Sequence, residues 1–204
     1  MINNKENVPL EHYREVFRNL DTEEVTQRTQ VAFDGNAFTL NLLSYPIKVT
    51  WPEFSLTVDA PDHPKALETA AVQILVIRYL IEGSSAPALG KFLSYRELPW
   101  GDVYDKNFQG RCVLRLAYGF GSRLEAFDKA CAKIGGVKLE LDDVSYELPF
   151  FEDIKVRLIL HQGDEEFPPS SQFLFSDNTP LAFTAEDMAA AGDLIINTLK
   201  EVSK

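Results

Sequence analysis

The run His161-Gln-Gly-Asp164-Glu165-Glu166-Phe-Pro-Pro is the densest collection of possible ligand atoms in the chain. Oxygen donors crowded on a turn can hold a hard cation, and His161 would add a nitrogen. Calcium loops, however, place their carboxylates at alternate positions around an internal glycine, which this run does not do. A metal site built from His161, Asp164, Glu165 and Glu166 therefore competes with a plain solvated turn. Should the site be real, metal-assisted hydrolysis is the chemistry it would serve.

A second cluster is aromatic. Phe92-Leu-Ser-Tyr95-Arg96-Glu97-Leu98-Pro99-Trp100-Gly101-Asp102 mixes rings, a charge pair and turn formers in what reads as a surface loop. Loops of this kind often carry function. A cleft wall for a planar ligand, made by Tyr95, Arg96, Glu97 and Trp100, stands against aromatics that simply cover the edge of the core. A third set, Lys155, Arg157 and His161, projects from one face of a strand. Arg157 there would attract a carboxylate or phosphate, unless acids from a covering helix neutralise the face.

Familiar nucleotide motifs fail on inspection. In Gly83-Ser-Ser-Ala-Pro-Ala-Leu-Gly90-Lys91 the glycines lie too far apart for a phosphate loop. Phe92 replaces the Ser or Thr that would hold magnesium, and a helix rather than a strand precedes the run. Gly119-Phe-Gly121 opens a helix, but Leu124 occupies the place of a dinucleotide fingerprint's third glycine,. A helix start at Ser122 with Arg123 beside it could hold an anion, but plain capping is the preferred reading. None of His12, His63 and His161 sits beside a Ser or Cys in a nucleophile elbow,. Cys112 and Cys131 form no CxxC pair, and Cys131 falls on an apolar seam with Leu124, Phe127 and Ile134, as a small core residue would,.

Charge narrows the partners. Twenty basic against thirty-one acidic side chains leave a net charge of −11, which argues against nucleic acid, since that affinity comes from Lys and Arg on phosphates. The apolar stretch Ala70 to Ile81 is broken by Gln73 and Arg78 and is too short to span a bilayer,. The N-terminus lacks the apolar core of a signal peptide. These features predict a soluble cytoplasmic protein with no membrane partner. Hydrophobic residues at 45% and charged residues at 25% of 204 are the proportions of one ordinary globular domain,.

The elements that must position these groups follow from periodicity. Apolar residues at helical spacing predict helices over 9–19 and 22–29, the second opened by Asp21. Alternation then predicts a three-stranded antiparallel meander over 38–58, because its connections are too short for parallel crossovers. Residues 65–82 read as the most apolar helix, central and packed on the meander. Helices over 104–118, 122–134 and 185–201 and strands near 154–161 and 171–175 complete an α+β domain covering 1–204. Whether the early and late strands share one sheet stays open at this point.

The segments EHYREVFRNLDTEEVTQRT (11–29), FLSYRELPWGDVYDKNF (92–108), GDEEFPPSSQFLFSDNT (163–179) and TAEDMAAAGDLI (184–195) resemble an uncharacterised prokaryotic domain family common in anaerobic bacteria and archaea. Similar proteins sometimes carry an added iron–sulfur module. The resemblance implies an association with anaerobic redox or corrinoid metabolism and no particular activity. Two cysteines cannot supply the four thiolates of a cubane cluster, so no cofactor is expected. Similar proteins also tend to place an aromatic at the position of His161, which counts against it as a ligand. The resulting expectation is a binding or accessory domain for a protein partner or a small anionic ligand, with the hydrolase at 161–166 as the alternative.

Overall fold

Side-chain alternation shapes the first half of the chain. The computed structural model describes residues 4–204, with side chains from Leu10 onward. Helix α1 (Asn4–Arg18) leads into α2 (Thr22–Thr29), and the Asp21 carboxylate accepts the Glu23 and Glu24 amides at 2.9 and 3.2 Å. That cap satisfies two of the donors a helix start leaves unpaired. Strands β1 (Ala32–Phe33), β2 (Ala37–Leu42), β3 (Tyr45–Thr50) and β4 (Leu56–Val58) then form the meander. Phe38 pairs with Val49 and Leu40 with Ile47, all four buried, while Thr39 and Lys48 face water.

The central helix is shorter than periodicity predicts. Residues Lys65–Glu68 form a 3-10 turn, Thr69 is extended, and α3 covers Ala70–Glu82. Thr69 explains the break, because its hydroxyl accepts the Val72 amide at 3.4 Å and so starts a new helix,. The turn before it is held by Glu201, whose carboxylate accepts the Lys65 and Ala66 amides at 2.8 and 3.1 Å. Val72, Leu75, Val76, Ile77, Tyr79 and Leu80 bury most of the circumference of α3. It packs against α1 and against a C-terminal helix, Ala185–Val202.

The rest of the chain supplies β5 (Phe92–Ser94), α4 (Gly101–Phe108), a π turn (Gln109–Val113), α5 (Leu114–Phe120) and α6 (Leu124–Lys133). Strands β6 (Val137–Leu139), β7 (Val144–Phe151), β8 (Ile154–His161) and β9 (Ser170–Ser176) follow, then α7 (Thr179–Ala182) and α8 (Ala185–Val202). Among the described residues the nine strands form one antiparallel sheet in the order β4-β3-β2-β7-β8-β9-β5, with β1 added on β2 and β6 on β7. The early and late strands therefore share a sheet, joined where Leu42 pairs with Phe151. This is an α+β fold with an antiparallel sheet.

Periodicity does not predict strand β7, although Val144, Tyr146, Leu148 and Phe150 alternate. Pro149 hid it, since a proline inside a run demotes a strand. The ladder to β8 shifts register between Pro149 and Phe151, and this irregularity absorbs the missing donor,. No helix among the described residues is long and apolar enough to cross a membrane.

Candidate functional site

The acidic turn keeps its ligands to itself. Asp164 Oδ1 accepts the Glu166 and Phe167 amides at 2.8 and 2.7 Å, and these bonds hold its carboxyl below the usual range. Glu165 and Glu166 are exposed. His161 turns the other way, its Nε2 standing 3.7 Å from Asp142 on the β6–β7 connection. No group of three His, Cys, Asp or Glu among the described residues is placed to share an ion.

The 92–102 segment divides between core and surface. Tyr95, expected at the surface, is buried: its ring stacks on Phe108 at 3.9 Å and its hydroxyl donates to the Ala185 carbonyl at 2.8 Å. Burial pushes its phenol up to about 12. Glu97 folds back so that its carboxylate accepts from both the amide and the hydroxyl of Ser94 at 2.7 Å, and these bonds lower its pKa. Arg96 is exposed beside the open edge of β9. Of the aromatics in the segment Trp100 is the exposed one, at 77%.

Arg157 is neutralised by a neighbouring strand rather than by a covering helix. Glu147 lies directly opposite it in the β7–β8 ladder and accepts from Arg157 Nε at 3.0 Å and Lys155 Nζ at 2.8 Å. Burial would raise the Glu147 carboxyl, but the bonds from Lys155 and Arg157 together outweigh it and leave the pKa lowered. The guanidinium also lies 3.6 Å from the centre of the Phe92 ring. The cationic face is thus largely spent on internal pairing.

A different set of charges gathers where α3, the π turn and α8 meet. A cleft of about 290 Å³ is lined by Thr69, Val72, Leu75, Arg111, Asp193 and Asn197, among others. The π turn sets its geometry. The Leu114 amide reaches five residues back to Gln109, inserting one extra residue into an otherwise continuous α4–α5 rod. Such insertions are uncommon and often mark functional positions. Arg111 Nε bonds Asp193 Oδ2, Arg115 Nη1 meets Asp193 Oδ1 at 2.5 Å, and Arg115 Nη2 donates to Asn197. Two guanidinium groups therefore share a single carboxylate.

The excess charge extends along α8. One turn beyond Asn197, Lys200 is held below the usual ammonium range by burial first and then by the charges of Arg115 and Arg123. The N-terminus of α3, with Thr69 as its cap, faces the same cleft and adds the positive end of a helix dipole,. In a chain of net charge −11 this is a local reversal of sign. Periodicity did not single out Arg111, Arg115, Asp193 or Asn197. The available signal was Asp193, an acid inside the otherwise apolar run of α8, and the four-residue spacing of two arginines facing it.

The fold is thus α+β with an antiparallel sheet, and Arg111, Arg115, Asp193 and Asn197 meet where its helices pack. The chain belongs to the family described as Domain of unknown function (DUF3786), whose model matches residues 21–198. No curated protein and no solved structure matches the chain.

Proposed function

We propose that this domain binds a small molecule bearing a carboxylate or phosphate, and that the ligand's charged end meets Arg111 in the cleft between α3, the π turn and α8. The observation that carries the reading is the sharing of Asp193 by Arg111 and Arg115, with Arg111 and Asp193 lining a cavity of about 290 Å³. A guanidinium with unused donors suits planar, bidentate anions. The side chain of Arg111 is 46% exposed, so it is accessible to a ligand. The apolar residues Ala66, Val72 and Leu75 on the α3 side would receive the body of the ligand. Glu201 already supplies a carboxylate to the amides that precede α3, so the ligand's charge is left to Arg111.

The test is thermal denaturation of the full chain with citrate, inorganic phosphate, pyrophosphate and AMP in turn. A ligand at about 100 times its Kd adds about 2.7 kcal/mol, or roughly 5–10 °C for a chain of this size. At least one anion should raise the melting temperature by that order, and Arg111→Gln should abolish the rise. A wild-type chain indifferent to all four, or an Arg111→Gln chain that responds equally, overturns the reading.

A further inference from the structure

A second cleft, of about 190 Å³, opens between α3, the turn before α4 and the segment from α7 to α8. Its walls include Trp100, Pro99, Leu181 and Glu82, with Arg78 and Asp187 also lining it. Arg78 is already neutralised. Its Nη1 lies 3.2 Å from Asp187 Oδ1, while the second Asp187 oxygen accepts from the Thr184 amide and hydroxyl at 2.9 and 2.7 Å. Glu82 is exposed and pairs with no cation among the described residues. The charged balance of the cleft is one guanidinium against two carboxylates, and the free carboxylate is Glu82.

Trp100 is displayed rather than packed. Its φ is +64°, a left-handed conformation that a bulky residue adopts only at a cost,. The next position is also constrained and must be glycine: a Cβ on Gly101 would stand 1.9 Å from the Tyr95 carbonyl oxygen. Strain of this kind persists where surrounding structure imposes it, often at recognition sites. Val103 and Tyr104, three and four residues on, extend the exposed apolar face along the first turn of α4, and Leu181 is exposed across the cleft. Tryptophan and tyrosine are the residue types that most often anchor protein interfaces.

We propose that this cleft docks a protein partner through a basic, aliphatic segment. A lysine or arginine of the partner lies against the Trp100 ring and pairs with Glu82, and a flanking aliphatic side chain covers Leu181. Charge complementarity selects this occupant. An aromatic face attracts a cation, the one unpaired charge in the cleft is negative, and the chain as a whole carries −11. An acidic segment would meet the unpaired Glu82 carboxylate there, with Arg78 already held by Asp187. This surface is separate from the Arg111 cleft and does not depend on it.

The experiment follows the Trp100 indole N–H in ¹H–¹⁵N spectra of the full chain, with the two tryptophan signals told apart by Trp100→Phe. The probes are an acetylated six-residue peptide alternating lysine with leucine and its glutamate–leucine counterpart. The lysine peptide should shift the Trp100 signal saturably, and the glutamate peptide should leave it unmoved. Glu82→Gln should weaken the lysine peptide about threefold, the size of an exposed ion pair. No saturable shift with the lysine peptide, an equal response to the glutamate peptide, or an unchanged affinity in Glu82→Gln each overturns the proposal.

Discussion

A Cβ placed on Gly192 would stand 2.6 Å from the Cys112 sulfur. The π turn and α8 are therefore held together by the absence of a side chain. The contact also builds the charged cleft, because Arg111 precedes Cys112 and Asp193 follows Gly192. Cys112 further donates weakly to the Ala189 carbonyl at 3.7 Å. Gly192→Ala forces the two segments apart and should cost about 1–3 kcal/mol. Denaturant unfolding measures the loss. The same variant should also blunt any anion response that depends on Arg111.

Neither cysteine is disposed to react. Burial pushes the Cys112 thiol up to about 12 and the Cys131 thiol well above its ordinary value, and both are fully buried. Since the thiolate is the nucleophile, a disulfide reagent should leave the native chain unmodified at neutral pH. Both thiols should titrate once guanidinium unfolds it. Rapid labelling of either cysteine in the native state would contradict the packing described.

His63 should make stability depend on pH near neutrality. Its Nδ1 lies 2.6 Å from the Ala60 carbonyl and its Nε2 2.9 Å from the Glu68 carboxylate, so both nitrogens face acceptors. The Ala60 carbonyl first, then Glu68, raises its pKa. The fold prefers the imidazolium, so its stabilisation is complete below the unfolded value of about 6.5. That stabilisation fades as pH climbs through the higher folded value. A ¹H titration should place the His63 midpoint above 6.5, and His63→Gln should remove this part of the pH dependence.

Tyr95→Phe separates architecture from recognition. The lost hydroxyl leaves the Ala185 carbonyl, which opens α8, without its 2.8 Å donor. A stability loss of about 1 kcal/mol is expected. Neither anion binding nor the response of Trp100 to a basic peptide should change, and a selective loss of either would return Tyr95 to the ligand surface.

Periodic elements were legible in the sequence because one physical demand, burial of one face, wrote each of them. The Leu124, Phe127, Cys131, Ile134 seam is wholly or partly buried on and just beyond α6, and Thr184 caps α8 through its reciprocal pair with Asp187. Thr69 interrupted an otherwise apolar helix because capping depends on one hydroxyl rather than on a pattern. The candidate cleft was the least legible feature. Arg111 and Asp193 are far apart in the chain, and tertiary packing such as that of Cys112 on Gly192 brings them together. Conversely, the acidic turn looked chemical in sequence because its carboxylates are consecutive, yet the Asp164 carboxylate is occupied by its own backbone.

The seam between the two strand groups has a mechanical implication. Only Leu42 and Phe151 are paired as a ladder there, with the Leu43 amide reaching the Phe150 carbonyl at 2.9 Å. Tyr79 of α3 packs beside that joint, its ring 4.6 Å from Phe151 and 5.5 Å from Phe183 and its hydroxyl donating to the Thr29 carbonyl. One aromatic side chain thus ties α2, β7 and the approach to α8 together. Its loss would open a void at the narrowest part of the sheet, inside the single apolar core that both strand groups share,.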